Sequence, residues 1–276
     1  MIAFQTFVLY LGLMLAVMGF RQGTSADASD SPVATVSDLV KVCADVGSGS
    51  LAFHFPVRDG VTGNGRGVRI RWNDQNHSWF RGWYDDSDPM EDGPGWMALQ
   101  LEAGSITEAS VVVGRDGPRL PPGTVDLGAL DPGPVAAFCL EMIPGTAAEV
   151  AEDLLLAGII ARGADVAGPL LALARNGSID AEVRCETTMW LAALAGEKVA
   201  GHLTAIARDR SEEFEVREHA VFALSQLPGD CGRPLLLEIA RKSTEPRLQQ
   251  VALFALTEYE GDPEVLALLE DILTGD

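Results

Sequence analysis

Several groups in this 276-residue chain have residue types and spacings that could do chemistry. Asp85-Asp86-Ser87-Asp88, with Glu91 and Asp92 just beyond, offers carboxylate oxygens to a hard cation such as calcium. The ligand spacing of an EF-hand loop is not met, so a solvated acidic loop is expected. Gly63-Asn64-Gly65-Arg66-Gly67 has the glycine content of a phosphate-cradling loop. It lacks the Lys-Ser/Thr of a P-loop, and the apolar run after it alternates like a strand, which reads as a hairpin turn. His54, His77, His202 and His219 are scattered, and none stands with a Cys or His partner at zinc spacing. No Ser sits in a nucleophile elbow. The expectation is therefore no catalytic residue, no metal ligand and no cofactor.

The four cysteines, Cys43, Cys139, Cys185 and Cys231, invite a disulfide reading. A Cys43–Cys139 bridge and four free thiols both stay open. A Cys185–Cys231 bridge is not expected, because the two would sit at opposite edges of a helix stack, on the order of 20 Å apart. Trp72, Trp79, Phe80, Trp83 and Trp96 cluster beside Arg69, Arg71 and Arg81. A core lined by snorkelling arginines is the plainer reading, and a sugar- or peptide-stacking surface the sharper one.

The elements that position such groups are clearest in the C-terminal half. Three segments align without gaps: Glu182–Gly196, Glu215–Gly229 and Arg247–Gly261. Val183, Val216 and Leu248 correspond, as do Thr187, Ala220 and Ala252, then Leu191, Leu224 and Leu256. Between them runs a second series, in which Ala174-Arg175, Ala207-Arg208 and Ala240-Arg241 keep the same period of about 33 residues. Val216, Ala220, Leu224 and Leu227 share one helical face. Asn176-Gly177, Pro228-Gly229 and Gly261-Asp262-Pro263 read as helix stops. Asp131-Pro132 reads as a helix opening, and Thr146-Ala147-Ala148-Glu149 as a capping box for a weaker unit that runs through Ile160. Each unit is two helices that must bury their apolar faces on neighbours.

The EVR-x-x-A-x-x-A-L pattern of Glu215–Leu224, followed by a second amphipathic helix, resembles the HEAT-repeat family, including its bacterial lyase-like branch. The resemblance covers about half of the chain. It implies a helical solenoid and, in most members, a scaffold role. The third copy departs from the pattern, with Gln249 where Arg184 and Arg217 stand, as in a relaxed end cap.

Residues 49–130 have strand texture. Leu51, Phe53, Phe55 and Val57 alternate with Ala52, His54 and Pro56; Val68, Ile70 and Trp72 alternate with Arg69 and Arg71; Met97, Leu99 and Leu101 alternate again, and Ser110–Val113 is a further candidate. The order of this region and the repeats resembles a group of uncharacterised exported bacterial HEAT repeat domain-containing proteins. In that group a GVCGDG-like turn and a CEPGPV-like strand start each carry a Cys. The matching stretches here begin at Gly60 and Met90, with Thr62 and Met90 at the cysteine positions, which implies a lost bridge. The fold class expected from all of this is mainly α: a HEAT-type α-solenoid over 131–276, preceded by a small antiparallel β domain over 49–130 and a linker over 29–48.

Residues 1–28 read as an address. The run from Phe7 to Phe20 is apolar and uncharged, short for a membrane span and suited to a signal-peptide core. Ala26-Asp27-Ala28 offers a cleavage site before Ser29. No Lys or Arg precedes the run and Arg21 follows it, so an uncleaved N-terminal anchor competes. Export to the periplasm or medium is expected either way. The net charge of −20, with 40 acidic against 20 basic side chains, excludes a phosphate-tracking basic face and any attraction to an anionic membrane surface.

Met189, Phe222 and Phe254 occupy one register in the first helices of the repeats, well around from the core direction. Two readings stand: packing between equivalent helices, and an apolar face for a partner segment. Arg184 and Arg217 read as structural ties between turns. The expected function is an exported, non-enzymatic protein-interaction scaffold with a protein partner whose identity is not written in the sequence. The alternatives are a lyase-like enzyme on the HEAT fold, or an extracellular carbohydrate- or ion-binding protein acting through the β domain.

Overall fold

Val36–Val46 forms helix α1, inside the stretch read as a linker. Thr35 and Asp38 close a reciprocal capping box at its start, and Leu39 and Cys43 form its buried side. In this computed structural model residues 35–71, 78–82, 89–195, 199–227, 231–259 and 261–274 are described, without the side chains of 78–82 and 195. They belong to one compact unit. Residues 1–34, which hold the stretch read as an address and the start of the one read as a linker, lie outside them.

The strands follow: β1 (Gly49–Phe55), β2 (Val61–Gly63), β3 (Gly67–Arg71), β4 (Ser78–Gly82), β5 (Gly95–Glu102), β6 (Ser105–Val113) and β7 (Val125–Ala129). Leu51, Phe53 and Phe55 are fully buried on β1 as expected, but Ala52 between them is buried too, so the alternation there is incomplete; on β5 Met97, Leu99 and Leu101 are buried in regular alternation. Two sheets result, one in the order β6-β5-β1-β7 and one in the order β2-β3-β4. β1 pairs antiparallel with β5 and parallel with β7. The Gly63–Gly67 loop is a hairpin turn joining β2 to β3. Asn64 Oδ1 accepts from the Arg66 and Gly67 N–H groups at 3.1 and 2.9 Å. Gly63 is needed there, because a Cβ would collide with the Val113 and Gly67 carbonyl oxygens.

The helices are α2 (Pro132–Met142), α3 (Ala148–Ile160), α4 (Ala167–Ala174), α5 (Ala181–Ala195), α6 (Ala200–Arg208), α7 (Phe214–Ser225), α8 (Arg233–Lys242), α9 (Pro246–Leu256) and α10 (Pro263–Thr274). Asp131 caps α2 and Pro132 opens it, as expected, and Phe138, Leu140 and Ile143 are buried. The capping box expected at Thr146 does not form. Helix α3 begins one residue later, with Ala147 at its cap, and Thr146 Oγ1 instead donates back to the Ile143 carbonyl at 2.8 Å.

The expectation of a mainly α HEAT-type α-solenoid preceded by a small antiparallel β domain is overturned. Among the described residues there are ten helices and a mixed four-stranded sheet, and they share one continuous apolar core running from Leu39 to Leu268. Helix α3 packs on β6 and β5. The end of β1 is stitched to the end of α3: Arg58 N–H donates to the Ile160 carbonyl at 2.8 Å, and Arg162 N–H to the Pro56 carbonyl at 3.0 Å. Arg162 Nε adds a bond to the Val57 carbonyl at 3.0 Å. The sheet is therefore integral to the helical layer. Alternating apolar residues announce strands and say nothing of their partners' direction, which is why the parallel β7 escapes a reading of pattern.

Candidate functional site

Helices α5, α7 and α9 share a register. Each turns one line of residues inward: Val183, Thr187 and Leu191; Val216, Ala220 and Leu224; Leu248, Ala252 and Leu256. All are buried. Thr187, on that line, and Thr188, beside it, satisfy themselves locally: Thr187 Oγ1 donates to the Val183 carbonyl and Thr188 Oγ1 to that of Cys185, each at 2.7 Å.

A second line is set by i, i+4, i+7 steps, which share a helical face. It runs Glu182, Glu186 and Met189 in α5, Glu215, His219 and Phe222 in α7, and Arg247, Val251 and Phe254 in α9. Helix α5 packs on α7, and α7 on α9. Met189 and Phe222 are half-buried against the core. Phe254 is 63 % exposed. The Phe222 and Phe254 rings stack with centroids 6.2 Å apart and planes 25° from parallel. Of the three residues predicted from the sequence, the structure thus joins two as an aromatic pair. Met189 lines a neighbouring open groove of about 670 Å³ with Glu152, Glu182, Glu186, Glu215 and His219. The acidic rim was not foreseen. Its signal was available in the same register, since Glu182 and Glu215 stand seven residues before Met189 and Phe222.

The opposite edge of these helices is closed by arginines. Arg184 is 1 % exposed; its Nε donates to the Ala174 carbonyl at 3.1 Å, and its guanidinium pairs with Glu212 and, at 3.6 Å, with Glu213. Arg217 repeats this one unit later. Its Nε reaches the Ala207 carbonyl at 3.1 Å, and its two terminal nitrogens grip Glu245 at 3.0 and 2.7 Å. Gln249 keeps only the first link, donating to the Ala240 carbonyl at 3.3 Å. The structural reading of Arg184 and Arg217 is what the geometry shows.

None of the four cysteines is joined in a disulfide. Burial pushes Cys43 up to about 11 and Cys185 up to about 12. Cys139 is raised further, by burial first and then by Cys43. Thiols held protonated in this way make poor nucleophiles.

Of the acidic loop, Asp85–Asp88 lies outside the described residues. Glu91 pairs with Arg115 at 3.1 Å. Its backbone exchanges two hydrogen bonds with Gly63, so the stretches around Thr62 and Met90 run side by side. Among the described residues no group of three or more His, Cys, Asp or Glu side chains is placed to hold a metal ion. The side chains of Trp72, Trp79, Phe80, Arg81 and Trp83 lie outside the described residues, as does His77. Trp96 is half-buried; its indole N–H donates to the Gly114 carbonyl at 3.1 Å, and its ring centroid lies 4.4 Å from that of His54. Burial pushes the His54 imidazole down, against the pull of Asp126. Among the described residues no helix is long and apolar enough to cross a membrane. Compared with known family models, curated proteins and solved structures, the chain matches none.

Proposed function

We propose that this protein is an exported, non-enzymatic interaction module that holds a partner protein on the face carrying Met189, Phe222 and Phe254. The observation that carries this reading is the stacked Phe222–Phe254 pair, in which the outer ring is 63 % exposed. An isolated exposed apolar side chain needs no explanation. This one is the open end of a line that begins at Met189 and is fixed on both helices by buried inner faces, as anchor residues at binding surfaces are. The carboxylates beside Met189 favour a partner segment that surrounds its apolar anchor with Lys or Arg. The scaffold role rests on the resemblance of the sequence repeat to the HEAT-repeat family, not on a solenoid, and the apolar run at Phe7–Phe20 supports export.

The test is a quantitative pull-down from an envelope extract of the source cell. The bait is the chain from Ser29 onward, beside copies carrying Phe254→Ser alone and Met189→Ala, Phe222→Ser and Phe254→Ser together, each checked by circular dichroism. The reading predicts a protein captured by the native chain, reduced by the single change and lost with the triple one. Equal capture by all three, or none by any, contradicts it.

A further inference from the structure

Where α6, α7, α8 and the start of α9 meet, a cavity of about 320 Å³ opens on the Arg217 edge, away from the ladder of rings. Its charge runs against that of the chain. Four cations, Arg208, Arg210, Arg217 and Lys242, line it with only two carboxylates, Glu238 and Glu245. Arg217 is committed to the Ala207 carbonyl and Glu245. Arg208 takes Glu238 at 3.0 Å. That leaves Lys242 at 3.6 Å from Glu238 and Arg210 Nε at 3.6 Å from Glu245, each sharing a carboxylate already engaged at closer range. Arg210 is aimed rather than loose, since it donates to Thr244 Oγ1 at 3.0 Å. Both carboxylates are held below their ordinary value, Glu245 chiefly by its hydrogen bond from Arg217 and Glu238 by that from Arg208.

The fold does not require this excess. One repeat earlier Asp209 stands in the register of Lys242, Ala205 in that of Glu238 and Gly177 in that of Arg210. There Arg184 meets two carboxylates, Glu212 and Glu213. Val221, Ile239 and Leu248 supply an apolar floor beneath the cations. The volume lies at the lower end of the range of small-molecule sites.

We infer that this cavity binds a small organic dianion, its charged end held by Arg208, Arg210 and Lys242 and its apolar body resting on Val221, Ile239 and Leu248. A pair of carboxylates and a phosphate monoester share the required chemistry. The inference is independent of the partner face, which it shares no residue with.

Isothermal titration of the full chain with phthalate, phenyl phosphate and benzyl alcohol tests it. Saturable binding of at least one dianion is expected, and the tighter of the two names the charged group. Benzyl alcohol should not bind. Raising the ionic strength should weaken the interaction. Arg210→Gln with Lys242→Gln should weaken it by about 10-fold or more. Arg210→Lys with Lys242→Arg should retain it. Arg210 and Lys242 are about three-quarters exposed, so both pairs of variants should keep the native circular dichroism. No saturable binding of either dianion, equal affinity in the Gln variant, or benzyl alcohol binding as tightly as the dianions would overturn the inference.

Discussion

Arg184 and Phe254 belong to the same repeated helix, one at its buried edge and one on its outer face, and the two positions have opposite fates. Along the edge, each arginine is consumed by the fold: a carbonyl of the preceding helix on one side and the carboxylates ahead of the next first helix on the other. Along the outer face, the side chains emerge progressively, from Met189 and Phe222 packed on the core to Phe254 in the open. Repetition of a residue type in register therefore has two separate causes. A buried ion pair recurs because each junction must be closed. A ring recurs without being needed for closure, which is why the proposed partner is placed there.

The largest effect should come from breaking the closed edge. Arg184→Ala leaves Glu212 facing a buried gap and should lower unfolding stability by about 3–5 kcal/mol, read by urea denaturation. Arg217→Ala should cost less, since Glu245 is more exposed than Glu212. Arg217→Gln should recover part of that loss, because Gln249 shows that an amide can keep the carbonyl link. If Arg184→Ala were neutral, the edge would be no more structural than the outer face.

A pH titration sharpens the same point. Its hydrogen bond to Arg184 holds the Glu212 carboxyl below its ordinary value of 4.5. A carboxyl lowered in the folded state adds stability that is fully present above the unfolded value and is lost as pH falls through the folded one. The stability gap between the native chain and Glu212→Gln should therefore be widest near neutrality and narrow below pH 4.5.

A smaller effect separates groups that look alike in sequence. Under native conditions at pH 8 a thiol reagent should modify Cys231 first, since it is half-exposed, while Cys43, Cys139 and Cys185 react only as the chain unfolds. Rapid native labelling of Cys185, which also lines the Met189 groove but is only 5 % exposed, would contradict its packing. The smallest stability effect belongs to the outer face. Phe254→Ser loses the stack on Phe222 but little burial, and should lower unfolding stability by about 1 kcal/mol or less.

What could be read beforehand follows from how local each feature is. Helices α5, α7 and α9 were legible because their inner lines repeat at fixed spacing, and Met189, Phe222 and Phe254 followed from the same register. How far Phe254 would emerge was not legible, since exposure depends on what packs beyond α9. Strands β1, β3 and β5 were visible in their alternation. The parallel pairing of β7 was not, because it joins residues some seventy positions apart across a connection rich in Gly and Pro. The stitching of β1 to α3 was likewise invisible, as it runs through backbone groups that no side-chain pattern encodes. Thr35 and Asp38 could have announced α1. Their capping box is hard to distinguish because it follows a small polar stretch. At Thr146 the same chemistry was read where the hydroxyl instead turns back on its own loop.

The central claim is that the outer face of the repeated helices holds a partner. A photo-crosslinking side chain at position 254, in the chain expressed in its own cell, tests it most directly when compared with the same side chain at position 273, where Leu273 is 86 % exposed on α10. The account predicts a discrete adduct with another protein from position 254 and not from position 273. No adduct from position 254, or the same adducts from both, would contradict it.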